Sequence, residues 1–147
     1  MDVERMRELQ QQGYYCSQIL IIMGLELQGK TNPDLVASMQ GLAGGLGFSG
    51  ELCGALSGGA CLLGLYAGKK YSHEEENPAL RFMIEDLVAW FKEEFGKPYG
   101  GIRCEEILAG NSMHTITRCP LMVAGVFAKV KELLVENGFD LFGVSDE

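Results

Sequence analysis

Residues 52–68 carry no formal charge, and about a third of them are glycine or serine. Each glycine costs up to ~1 kcal/mol of helix propensity relative to alanine. A helix over this run forms only where tertiary packing compensates, so it belongs at the centre of a fold. Gly54-x-x-x-Gly58 and Gly64-x-x-x-Gly68 have the spacing that lets helices approach closely in lipid. The run nonetheless falls short of the ~20 apolar residues a membrane span needs. A buried, tightly packed helix over about residues 51–70 is the expectation, and the other elements must be arranged around it.

Those elements read as helices too. Residues 2–12 form a short polar helix, broken at Gly13. Cys16, Leu20, Met23 and Leu27 then recur on one face of a 3.6-residue period. Gly29 and Lys30 close that helix, and Thr31-Asn32-Pro33-Asp34 opens a short one over 35–43, with proline suited to a first turn. A glycine-dense loop follows over 41–50, and an acidic loop over 72–78. Leu80, Met83, Ile84, Leu87, Val88, Phe91 and Phe95 mark the clearest amphipathic helix. Residues 96–101, with Pro98, read as a loop, and 103–109 as one or two helical turns. Pro120 starts the last helix, whose apolar face is Val123, Val126, Phe127, Val130, Leu133 and Leu134, with Gly138 as its C′ residue. No β-alternation or internal repeat stands out. The chain is therefore expected to be all-α: one domain over 1–138, a bundle of six or seven helices, and a C-terminal tail over 139–147.

The net charge of −8 over 147 residues argues against nucleic acid or an anionic membrane as partner, since phosphate-binding surfaces need a basic excess. Residues 1–5 lack the basic region and apolar run of a signal peptide, so a cytoplasmic, reducing compartment is expected. There, cysteines bind metal or do chemistry more often than they staple a fold.

Four of the five cysteines fall where helices begin: Cys16, Cys53, Cys104 and Cys119. A helix N-terminus favours thiolate over thiol, and Arg103 and Arg118 beside two of them add a second such influence. Glu105 and Glu106 cap the short helix dipole but oppose ionisation of Cys104. Cys61 lies mid-helix on the small-residue face of Gly54, Gly58, Leu65 and Gly68, and is read as packing. No Cys-x-x-Cys occurs, so any cluster must be assembled by tertiary folding. Gly45-x-Gly47-x-x-Gly50 formally matches a dinucleotide fingerprint, but a helix stands where the required strand should be. The glycine loop reads instead as a turn with close backbone approach beside Cys53, able to seat a small anion or to keep bulky side chains off its sulfur. His73 and His114 read as solvated, with His114 the better ligand candidate because it lies between Cys104 and Cys119.

Gly13-Tyr14-Tyr15-Cys16, Cys53-Gly54-Ala55-Leu56-Ser57-Gly58, Phe95-Gly96 leading to Arg103-Cys104-Glu105-Glu106-Ile107-Leu108, and Cys119 at the last helix carry a resemblance. Together they resemble the redox-active family named for its C-GCAxxG-C-C cysteine pattern, over about residues 10–134. The central string departs from the literal motif, with Leu52 before Cys53 and Gly54 after it, and Cys61 stands outside the pattern. The resemblance implies a small helical protein of anaerobic-type redox metabolism.

Three functions follow as expectations. The first is thiol-based redox or electron transfer by two or more of Cys16, Cys53, Cys104 and Cys119, in an accessory protein with a redox partner protein rather than a stand-alone enzyme. The second is a metal site with the same four sulfurs as ligands, to zinc or an iron–sulfur cluster. The third is a non-catalytic helical adaptor, whose glycine face at Gly54, Gly58 and Gly68 forms a homodimer or docks a partner helix.

Overall fold

The computed structural model describes residues 2–142, so the last five residues of the expected tail, 143–147, lie outside the described residues. Among the described residues the fold is all-α, with ten α-helical segments: α1 (Asp2–Gln11), α2 (Cys16–Leu27), α3 (Pro33–Met39), α4 (Ala43–Leu46), α5 (Gly54–Ala67), α6 (Ala79–Phe91), α7 (Lys97–Tyr99), α8 (Cys104–Leu108), α9 (His114–Thr117) and α10 (Cys119–Glu136). Seven of them have five residues or more, as the periodicities predict.

α5 is the hub, packed against α2, α6 and α10. Its glycines make this possible. A Cβ on Gly58 would lie 3.0 Å from the Ser17 Cα, and one on Gly59 would lie 2.6 Å from a Val126 methyl. The close approach is thus spent inside the chain, between α5 and its own neighbours α2 and α10. Gly54 and Gly58 are buried there. Cys61 is a correction: it lies exposed on the outer side of α5, not in the packing face. Position 61 follows Gly58 and Gly59 by only two or three residues, yet the helix turns it past both buried seams.

The core is apolar and continuous. Phe91, Phe127, Met6, Leu9, Leu20 and Ile21 are among its largest fully buried side chains, each worth roughly 1.5–3 kcal/mol over the exposed state. α2 is buried on most of its circumference rather than along one stripe, because α1, α3, α5 and α10 all contact it. Two hydrogen bonds fix its first turn on α3. Ser17 Oγ donates to the Met39 carbonyl at 2.7 Å, and Gln18 Nε2 donates to the Val36 carbonyl at 3.2 Å.

Three elements differ from expectation. The central helix begins at Gly54, not Glu51, because Leu52 forms an isolated antiparallel bridge with Arg103. The expected loop at 96–101 is largely helical: a π-turn over Lys92–Gly96 runs into α7, and Gly100 at φ +83° ends it. Pro98 has no N–H to give to the ladder, so the preceding turn widens, with the Lys97 N–H bonding to the Lys92 carbonyl. The polar loop before Pro120 contains α9, nucleated where Asn111 Oδ1 accepts from the Met113 N–H at 3.0 Å. The ends predicted from proline, asparagine and glycine hold. Asn32 caps α3 through the Leu35 N–H at 3.1 Å. Gly138 closes α10 at φ +86°, with the Phe139 N–H on the Leu134 carbonyl. Beyond it the chain stays against the body, where the Tyr66 hydroxyl donates to the Leu141 carbonyl at 2.7 Å.

Candidate functional site

Cys16, Cys104 and Cys119 are each the first residue of a helix, and Cys53 is the N-cap residue of α5. The helix-start placement read from the sequence therefore holds for all four. Their convergence is the work of three local devices. The extended segment at 51–53 lies antiparallel to 102–104: the Cys53 N–H donates to the Ile102 carbonyl at 3.0 Å, and the Cys104 N–H donates to the Glu51 carbonyl at 2.6 Å. This sets two helix starts side by side. Gly54, next to Cys53, packs directly on α2, where a Cβ would lie 2.9 Å from the Cys16 sulfur. α9 then turns the chain into α10, with the Arg118 N–H on the His114 carbonyl and the Met122 N–H on the Arg118 carbonyl.

All four cysteines line one cavity of about 610 Å³. Its wall also includes Met6, Ile19, Ile107, Met122 and Val123, which are buried, and Tyr15, Phe48, Glu105, Ser112 and Thr115, which are exposed. Among all six pairs of the four thiols, ionisation of one is felt by the other. Cys61 is no part of this set. All five thiols are free.

The charge argument made from the sequence is overturned. Burial, the largest influence, pushes the Cys16, Cys53, Cys104 and Cys119 thiols up from their ordinary value, Cys119 to about 12. Repulsion between the sulfurs adds to burial at Cys16, Cys53 and Cys119. Backbone N–H groups of Ala55 and Leu56 do pull Cys53 the other way, as a helix start should, but they lose to desolvation. The two arginines give no help, because each is engaged elsewhere. Arg103 pairs with Glu51 at 3.2 Å and Glu105 at 3.1 Å. Arg118 donates to the Ile107 carbonyl and lies 4.4 Å from the centre of the Tyr99 ring. Glu106 caps α8 as expected, accepting from the Arg103 N–H at 3.0 Å.

His114 is turned away: its Nδ1 lies 2.6 Å from the Leu108 carbonyl, and it does not line the cavity. His73 is exposed and stacked on Tyr71. Among the described residues, no group of three or more His, Cys, Asp and Glu side chains is arranged to hold a metal ion. As they stand, the four sulfurs are a wall around a space rather than a ligand cage.

The glycine loop reaches the site in a form that the sequence does not announce. Five successive residues, Gly44 to Phe48, have φ between +62° and +75°, and α4 is accordingly a left-handed turn. Gly45 has to be glycine, since a Cβ there would lie 2.4 Å from the Glu51 nitrogen. The turn carries Phe48 to the cavity mouth, where its ring meets Tyr15 edge-on at 5.2 Å. Neither aromatic was singled out as a site residue from the sequence. An exposed ring on a glycine loop carries no periodicity signal, and only the left-handed path brings it to Cys16's neighbour.

Residues 14–133 match the family model described as "Putative redox-active protein (C_GCAxxG_C_C)". The chain belongs to that family. The match covers well over half of the chain and contains Cys16, Cys53, Cys104 and Cys119. No curated protein and no solved structure matches the chain. Of the five cysteines within that match, Cys16, Cys53, Cys104 and Cys119 line the cavity. No helix among the described residues is long and apolar enough to cross a membrane.

Proposed function

We propose that the protein is a thiol-based redox or electron-transfer protein, working through two or more of Cys16, Cys53, Cys104 and Cys119. The observation that carries this reading is the single cavity lined by all four sulfurs. Two thiols lose two protons and two electrons as one S–S bond forms. The electrons pass to an oxidised two-electron acceptor, and a redox partner protein returns them. The two protons leave with the electrons or to solvent at the exposed rim, where Glu105 is the one carboxylate among the described lining residues. The protein acts as an accessory redox component in the cytoplasm.

The test is to replace each cysteine with serine and equilibrate the variants in dithiothreitol buffers of graded poise. At least two of Cys16→Ser, Cys53→Ser, Cys104→Ser and Cys119→Ser should shift or abolish the two-electron transition, and Cys61→Ser should leave it unchanged. Unchanged behaviour in all four refutes the proposal. Zinc, iron and sulfide analysis of anaerobically purified protein tests the alternative use of the same sulfurs as ligands.

A further inference from the structure

The cavity is large for a domain of this size. Well-packed interiors hold few voids bigger than a water molecule, whereas about 610 Å³ lies within the ~300–1,000 Å³ range of small-molecule sites. It is also graded. The floor is buried and apolar, built from Met6, Ile19, Ile107, Met122 and Val123. The rim is exposed and partly polar, with Tyr15, Phe48, Glu105, Ser112 and Thr115. The half-buried sulfurs of Cys16, Cys104 and Cys119 belong to the same wall.

Electrostatics narrows the occupant further. The one charged side chain on the described wall is Glu105, whose carboxylate lies 3.1 Å from Arg103. Among the described residues no cationic side chain lines the space, and the chain as a whole carries −8. An anion finds no partner and meets a repulsive field. A cation would be stripped of water against an apolar floor, and the one carboxylate, Glu105, stands at the exposed rim already paired with Arg103. An uncharged apolar body displaces poorly held water from such a floor at little cost.

We infer that this cavity binds an uncharged, predominantly apolar small molecule, with its polar end at the rim, and that its oxidised form is the two-electron acceptor, taking up the two electrons and two protons that two thiols release as one S–S bond forms. The second half rests on the redox reading above, and the binding does not. The edge-to-face pair of Tyr15 and Phe48 stands at the mouth as a wall for a flat ring.

The experiment titrates the reduced full chain with Nile red, an uncharged dye, and with the anionic 1-anilinonaphthalene-8-sulfonate. Nile red should bind saturably, one to one, at least tenfold tighter than the anionic dye, and should slow alkylation of Cys16 and Cys119 but not of exposed Cys61. Thr115→Trp plugs the cavity from an exposed rim position, and Val123→Phe fills its floor. Each should weaken Nile red binding at least tenfold, with a thermal melt confirming the fold. Absence of saturable binding, equal affinity for the two dyes, or binding unchanged in both variants would overturn the inference. Dye binding retained with serine at all four positions supports the site even where the redox reading fails. Redox-active thiols in a protein that binds no dye sink the inference and leave that reading standing.

Discussion

Cys119 is the first residue of an 18-residue helix, where unpaired N–H groups favour a thiolate, yet its thiol is pushed up to about 12. Burial and the neighbouring Cys53 and Cys104 outweigh the helix start. Placement on a helix was legible in the chain, and desolvation was not, because it depends on what the rest of the molecule brings against the sulfur. Timed alkylation at pH 8 with peptide mapping should find Cys53, which is 4% exposed, at least tenfold slower than exposed Cys61. Gly45 is a second residue whose role is conformational. With φ +75° and the Glu51 nitrogen 2.4 Å from a would-be Cβ, Gly45→Ala should cost at least ~1–2 kcal/mol of unfolding free energy in urea. The same change at Gly41, which has open space around it, should cost little or stabilise.

At the scale of elements, the uncharged glycine-rich helix was the strongest indication of architecture, and it is the hub. Its propensity deficit is offset by close contact, most closely at Gly59 between Leu87 of α6 and Val126 of α10. Gly59→Val should overpack that seam and destabilise by ~1–3 kcal/mol, read as a lowered urea midpoint without a change in slope. Legibility failed where one element ends through contact with another. Leu52 and Arg103 are 51 positions apart, and their bridge takes three residues from the expected start of the central helix. A single bridge has no alternation to betray it. The π-turn before Pro98 was equally silent, because proline signals a lost donor but not how the helix accommodates it.

For the whole molecule, the four raised thiols make stability pH-dependent in a definite direction. In the unfolded chain they ionise near the ordinary value of 9.0, and in the fold only at higher pH. Their contribution is fully present below about pH 9 and is lost as pH rises toward the folded values, because the unfolded state releases protons first. The urea midpoint should therefore fall between pH 8 and pH 10.5, and fall less with Cys16→Ser and Cys119→Ser combined. The chain alone determined the helical class, the central place of the uncharged glycine-rich helix, and the placement of four cysteines at helix starts. Those properties rest on periodicity, propensity and end signals, which are local. Only the tertiary structure decided that the four starts open onto one cavity, that both arginines are engaged by other partners, and that Cys61 is exposed. Each depends on contacts between residues far apart in the chain, and no local pattern encodes which buried surface a helix end will meet.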